Sequence, residues 1–519
     1  MTTETRWCRV CGLDKIDMTD GICSDCRYDA EVTGNDASAT VTDGADDLIV
    51  PSPNNPMAVA RMFVAGHFAD PDGSLMLRHH RGGFYTWDGT CWPEGEDRKV
   101  RADLYRWLEP AVYWKDTKDG SELAPFEPTR NKIANLVEAL QAVAHLDAAI
   151  TPPAWLEAHD LPASEVVAMA NGVLHVPSRT LLPHSPALFV HHSLPFEFAP
   201  NAPEPERWHR FLDELWGDDF EAIDTLGEKM GYVLSGDTRQ QKLFMLVGPK
   251  RSGKGTIGRV LTGLLGPHNV AAPTLAGLAT NFGLSPIIGK PLALVSDARL
   301  SNRSDSMVAV ERLLSVSGED SLTIDRKYRE PWTGRLGARF LILTNELPRF
   351  TDSSGALASR FVLLTLVRSF YDREDPTLTD TLLSEAPGIF NWALRGLDRL
   401  RERGHFQMPA SAREALRQLE DLSSPTGAFV RDRCEVGPAL EVDKDVLYED
   451  WKTWCEREGK ARAGSKAVFI RDLRAAVPGM HAARPRDGGD RHHVIRGLEL
   501  RKQLTGPLTT PDQEAGGGW

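Results

Sequence analysis

The sequence predicts a multidomain α/β and α+β protein: an N-terminal zinc knuckle, a P-loop parallel-sheet core and a C-terminal winged helix. Three observations carry this reading. Four of the seven cysteines fall within the first 26 residues. Apolar runs of strand length alternate with helical periods from Leu243 onward, the order of a parallel sheet with crossovers. From Ala428 the chain reads as helix, helix, hairpin. At 519 residues it exceeds what one hydrophobic core supports, and about three or four domains are expected.

Cys8, Cys11, Cys23 and Cys26 form C-x2-C-x11-C-x2-C. Two such knuckles place four thiolates around one Zn²⁺ with no open position, which suits a structural metal that substitutes for a core in a short segment. A redox pair is the competing reading. The knuckle is assigned to residues 1–33 and the acidic, aperiodic stretch 34–56 to a disordered linker. The net charge of −13 argues against coating nucleic acid by bulk electrostatics, so any contact must come from local basic patches. No run reaches the roughly 18 apolar residues of a membrane span, and the N-terminus lacks a signal-peptide core. These features predict a cytoplasmic protein that makes no membrane contact.

Residues 57–200 carry a hairpin-like stretch at 81–92 and a helical stretch from Arg130 to Leu146, read together as an α+β domain. His79, His80 and Arg81 are read as solvated surface in preference to a phosphate contact. No carboxylate set for two-metal nucleotidyl transfer is recognisable, so priming activity is not supported. Between Trp208 and Leu234, Phe211, Leu215, Leu226, Met230 and Val233 recur at helical spacing, defining a helical segment over 201–240.

The core is placed at 241–415. LFMLV (243–247) reads as a buried strand, GPKRSGK as the loop and TIGRVLTGLLG as a helix. Gly248, Pro249, Lys250, Arg251, Ser252, Gly253, Lys254, Gly255 and Thr256 thus form the phosphate-binding stretch. Backbone N–H groups and the helix N-terminus converge on phosphate, and Lys254 neutralises it. The position after Lys254, where a Ser or Thr hydroxyl normally holds Mg²⁺, is Gly255, and the hydroxyl comes one residue later at Thr256. In the next strand, Asp297 follows PLALVS and can join the Mg²⁺ shell or orient water; Glu311 and Glu319 are further carboxylate candidates. A third strand, RFLILTNELP, ends at Thr344 and Asn345, where an amide can position water or sense a terminal phosphate.

Arg326, Lys327, Tyr328 and Arg329 form a basic, aromatic tip between these strands, suited to a phosphate backbone and a base. A solvated charged turn is the competing reading. Arg360 precedes the strand FVLLTL, at an edge from which an arginine can reach a neighbouring subunit's phosphate.

These motifs in this order resemble the superfamily 3 helicases, and within them the phage, plasmid and poxvirus primase-helicase family, over roughly residues 57–505. The resemblance implies an AAA+-like ATPase forming a hexameric ring that uses ATP to move on single-stranded or forked DNA. A replication polymerase or a separate primase is an implied partner. Lys254 and Thr256 would lie in the first nucleotide motif, Asp297 in the second, Asn345 would be the sensor, Lys327 would centre the DNA hairpin and Arg360 would be the arginine finger. Nucleoside monophosphate kinases also carry GKGT, so a small-molecule kinase is one alternative. An ATP-assembled DNA-binding scaffold is another.

The tail is divided into a winged helix at 416–504 and a disordered end at 505–519. Asp443 caps a helix that buries Leu447, Trp451 and Trp454. Ser465 caps a second helix that buries Phe469, Leu473 and Val477 and turns Lys466, Arg471 and Arg474 outward. Arg491 lies in a basic wing with Gly488 and Gly489 at its turn.

Overall fold

A strand covered on both faces needs an unbroken apolar run, and the core has several: β1 (Leu243–Val247), β3 (Leu292–Val295), β4 (Arg339–Thr344) and β5 (Phe361–Thr365), with the short β2 (Val270–Ala271) at one edge. They form a five-stranded parallel sheet in the order β2-β3-β4-β1-β5. The computed structural model describes residues 48–501 apart from 71–72, 119, 299–302, 351, 353–354, 460–462, 484–485, 488–489 and 492, together with four two-residue strands within 1–47. Of the four cysteines expected to bind zinc, only Cys23 falls in one of those strands, Ile22–Cys23; Cys8, Cys11 and Cys26 lie outside the described residues, as does the tail 505–519.

Period-2 alternation splits the sheet residues between two cores. Phe244, Leu246, Leu341, Leu343, Val362 and Leu364 join one cluster; Leu243, Met245, Phe340, Ile342, Phe361 and Leu363 join the other. The first face is covered by α1 (Glu206–Trp216), α2 (Phe220–Leu234), α3 (Lys254–Leu265) and α5 (Ala386–Arg403); the second is packed by α4 (Arg303–Ser317). The helical segment between Trp208 and Leu234 comprises two helices. Gly217, at φ 60°, ends α1, and Asp219 caps α2 by accepting from Ala222 N.

The α2–α5 crossing is made by glycines. A Cβ on Gly231 would lie 2.2 Å from Ala393 O, and one on Gly396 would lie 2.4 Å from Gly227 C. Both obstacles are backbone, so neither position admits a side chain unless the helices separate. Lys229 on α2 is 1% exposed; its Nζ donates to Phe340 O at 3.2 Å and sits 3.4 Å from the Phe244 ring centroid. Burial holds its pKa well below the usual lysine value.

By contact density the chain forms two units, residues 1–63 with 98–143 and residues 64–97 with 144–519. In the first, the hairpin Val112–Thr117/Gly120–Pro125 accompanies the helix Arg130–Val143, which buries Ile133, Leu136, Val137 and Leu140. In the second, the hairpin Leu77–His80/Gly83–Thr86 turns at Arg81 and Gly82, both at positive φ. His80 is not solvated surface as the sequence suggested. It is buried at the end of a strand with Nε2 on Ile150 O at 2.9 Å, in an aromatic cluster with Tyr85, Phe189 and His191.

At the C-terminal end a strand that the sequence reading did not include, β6 (Cys434–Asp443), precedes the two expected helices α6 (Lys444–Arg457) and α7 (Lys466–Ala476), and β7 (His481–Ala483) and β8 (Val494–Leu500) follow, with β8 central in an antiparallel sheet. Asp443 Oδ1 accepts from Asp445 N and Val446 N, and Ser465 Oγ accepts from Val468 N. Leu447, Trp451, Trp454, Phe469, Leu473 and Val477 share one core. Among the described residues no helix is long and apolar enough to cross a membrane, and Cys91, Cys434 and Cys455 are buried and form no disulfide.

Gly231→Ala should lower the denaturation midpoint by the equivalent of about 1–3 kcal/mol. Gly337→Ala, whose Cβ would meet nothing within 4 Å, serves as the control and should leave it unchanged. A second expectation concerns acid. Burial lowers His80 to about 4, His191 to about 3 and His192 to about 4 from an ordinary 6.5. The neutral rings therefore favour the fold fully above about pH 6.5, and that stability is lost as pH falls from there toward about 4. Thermal melting should be flat at neutral pH and fall below it. His191→Phe, which can keep the stack on Tyr85, should reduce the fall.

Candidate nucleotide and nucleic-acid site

Register brings the three core motifs to one edge of the sheet. Val247 is level with Thr344 across the β1–β4 ladder, and Val295 is level with Ile342 across β3–β4. Gly248 then follows β1 beside Asn345 after β4, with Asp297 two residues beyond Val295. Gly248 N donates to Thr344 O at 3.2 Å, tying the loop to the neighbouring strand end. Asp297 and Asn345 are both exposed at this edge.

The loop leaves β1 through Gly248, where a Cβ would lie 2.5 Å from Leu366 O. It turns through Arg251 and Gly253 at φ 59° and 88° and enters α3 at Lys254. Gly253 is favoured by its left-handed backbone, and a Cβ there would also meet Leu215 Cδ2 of α1 at 2.7 Å. Lys254 is 8% exposed, and its Nζ donates to Gly248 O and Pro249 O at 2.7 Å and to Ser252 Oγ at 3.1 Å. Burial lowers its pKa. The segment after β5 laces the loop in place: Phe370 N donates to Arg251 O at 2.8 Å, Ser369 Oγ to Lys250 O at 2.9 Å, and Arg251 pairs with Glu374 at 3.1 Å. Backbone donors at a helix N-terminus beside an ammonium fit a phosphate chain.

Thr256 lies on the first turn of α3. It is buried, and its Oγ1 accepts from Arg259 NH2 at 3.1 Å. Asp297 is an exposed carboxylate at this edge. Glu319 lies at the other end of the sheet, accepting from Thr238 Oγ1 near the start of β1. Glu311 is on the exposed face of α4.

Arg360 precedes Phe361, which pairs with Leu243 at the start of β1. It therefore sits at the amino end of the sheet, away from its own loop. Its NH1 donates to Leu314 O and Ser317 Oγ at the C-terminus of α4.

Strands Leu322–Arg326 and Arg329–Gly334 form the expected hairpin, with Lys327 and Tyr328 as its two-residue turn. The four tip residues divide into two pairs. Arg329 binds Glu94, with Asp97 3.4 Å away, and Arg326 NH2 donates to Arg81 O at 2.8 Å. Both arginines anchor the hairpin within its own unit. Tyr328, at φ 61°, is 92% exposed, and Lys327 Nζ lies 5.0 Å from its ring centroid. Those two side chains are the ones presented to solvent. On α7, Arg471 and Arg474 are exposed, with Arg471 on Asp472 at 2.8 Å, while Lys466 is half-buried and pairs with Asp445. The Arg491 side chain lies outside the described residues.

With this geometry in hand, comparison with known proteins adds two family matches. Residues 60–217 match the family model described as D5 N terminal like, and residues 246–360, from β1 through Arg360, match a family of unknown function, DUF5906. Among solved structures, an apo form of the NrS-1 C-terminal region is similar over 81% of this chain and 96% of its own, at 10% identity and TM-score 0.43. A second, of its residues 305–718, is similar over 58% and 77%, at 13% identity and TM-score 0.40.

Two features of the site were beyond sequence reasoning. The lacing by residues 366–374 depends on backbone partners that no motif encodes. Arg259 occupies an ordinary exposed helix position, and only its neighbours in space give it meaning.

Proposed function

We propose that this chain is a replication helicase of the superfamily 3 type, hydrolysing ATP at the interfaces of a homo-oligomeric ring and moving on single-stranded DNA. The observation that carries the reading is the convergence of the phosphate loop, Asp297 and Asn345 on one sheet edge. A bound ATP supplies the phosphoanhydride whose cleavage drives the motor. Lys254 leaves its loop oxygens to neutralise the terminal phosphates, Asn345 orients water toward them, and Asp297 holds the Mg²⁺ shell. The amino-end placement of Arg360 fits a role toward a neighbouring subunit's nucleotide in a hexamer, after release from α4.

The DNA contact is narrower than the four-residue tip. Lys327 and Tyr328 pair a cation with a stacking ring, which suits a single strand, whereas Arg326 and Arg329 hold the hairpin steady. The C-terminal elements support a winged helix, with Arg471 and Arg474 as its DNA-facing cations. A structural zinc on Cys8, Cys11, Cys23 and Cys26 completes the proposal.

ATP hydrolysis by the purified chain should rise with single-stranded DNA and fall to background in Lys254→Ala. Lys327→Ala should keep basal hydrolysis and lose the DNA response. Hydrolysis indifferent to DNA in the unmodified chain would favour the kinase or the assembly scaffold. Elemental analysis should find one zinc per chain, lost in Cys23→Ser; a metal-free protein that retains its fold would remove the knuckle.

A further inference from the structure

Gly255 and Arg259, four residues apart, are the exposed positions at the start of α3, set among the buried Lys254, Thr256, Ile257, Gly258 and Val260. A helical side chain leans toward the N-terminus, so Arg259 covers the surface over residue 255. Its guanidinium is held there by two hydroxyls: NH2 donates to Thr256 Oγ1 at 3.1 Å and Nε to Thr379 Oγ1 at 3.0 Å. A Cβ built on Gly255 would lie 3.2 Å from NH1.

Hydroxyls orient a guanidinium without neutralising it. Among the described residues no carboxylate forms an ion pair with Arg259, whereas Arg251 in the same loop is paired with Glu374 at 3.1 Å. Thr379 lies beyond β5, which flanks β1 on the side opposite β4 and the Asp297 strand. An oriented, unneutralised cation thus stands beside the first turn of the phosphate-loop helix, on the side away from Asp297.

We propose that Arg259 is a phosphate-binding residue of this site and that position 255 is glycine because the guanidinium takes the space a side chain would fill. The ligand class is a nucleoside di- or triphosphate. Arg259, farther along the helix than Lys254, binds a phosphate common to both rather than the terminal one. This rests on the nucleotide-site reading above, so the test includes a variant that probes that reading separately.

Affinities for fluorescent ADP and ATP analogues should be measured on the full chain and on Lys254→Ala, Arg259→Ala, Gly255→Val and the double variant Gly255→Val/Arg259→Ala, with thermal melting to confirm the fold. Arg259→Ala should weaken both nucleotides by about tenfold or more, the loss of a charge-assisted hydrogen bond. Gly255→Val should weaken them similarly by displacing the guanidinium, and the double variant should be no worse than either single change. An Arg259→Ala protein that binds ADP as tightly as the unmodified chain overturns the proposal and leaves the phosphate loop standing. An unmodified chain that binds no better than Lys254→Ala overturns the nucleotide site itself, and this proposal with it.

Discussion

The parallel register of β1 against β4, and of β4 against β3, is the constraint on which the rest depends. Parallel ladders align strand ends, so residues nearly a hundred positions apart meet at one edge without any direct bond between them. Gly248, Asp297 and Asn345 come together because Val247 is level with Thr344 and Val295 with Ile342. A slip of one residue in either ladder would turn every side chain of that strand to the other core. The two apolar clusters, each filled by alternate residues, therefore hold the site's geometry from beneath.

The underside of the sheet contains cations where a simpler core would be apolar. Lys229 reaches Phe340 O from α2, and Arg339, at the start of β4, donates to Val233 O at 2.7 Å from the strand side. Burial lowers Arg339 to about 10. These bonds cross the seam between helix and sheet in both directions. They depend on α2 lying close, which the glycine contacts with α5 allow. A buried donor that reaches a single carbonyl specifies a position in a way that a sliding apolar contact cannot.

Much of this was legible in the sequence because it is written in local patterns. Apolar runs marked β1, β3, β4 and β5, and the glycines and lysine of the loop marked the turn into α3. Asp443 and Ser465 announced helices that begin where they should. What could not be read was long-range. Nothing near His80 signals that Ile150, Tyr85, Phe189 and His191 will enclose it. The tip RKYR is uniform as a string, and only the positions of Glu94, Asp97 and Arg81 divide it into anchors and exposed residues. Nothing beside Thr256 in the sequence signals that Arg259, one turn on, donates to its hydroxyl.

The hairpin carries a mechanical consequence. Its exposed Lys327 and Tyr328 stand at the end of a short lever whose sides are fastened: Arg329 to Glu94 and Asp97, Arg326 to Arg81 O, and Trp332 beneath the Arg81 guanidinium at 5.6 Å. Arg81 is itself held by Ala148 O at 2.8 Å and Thr151. A tug on the Tyr328 ring is therefore not absorbed by a floppy turn. It passes through these fastenings into the 77–97 segment and the 148–151 loop, so a load taken at the tip is borne by parts of the chain remote from it in sequence.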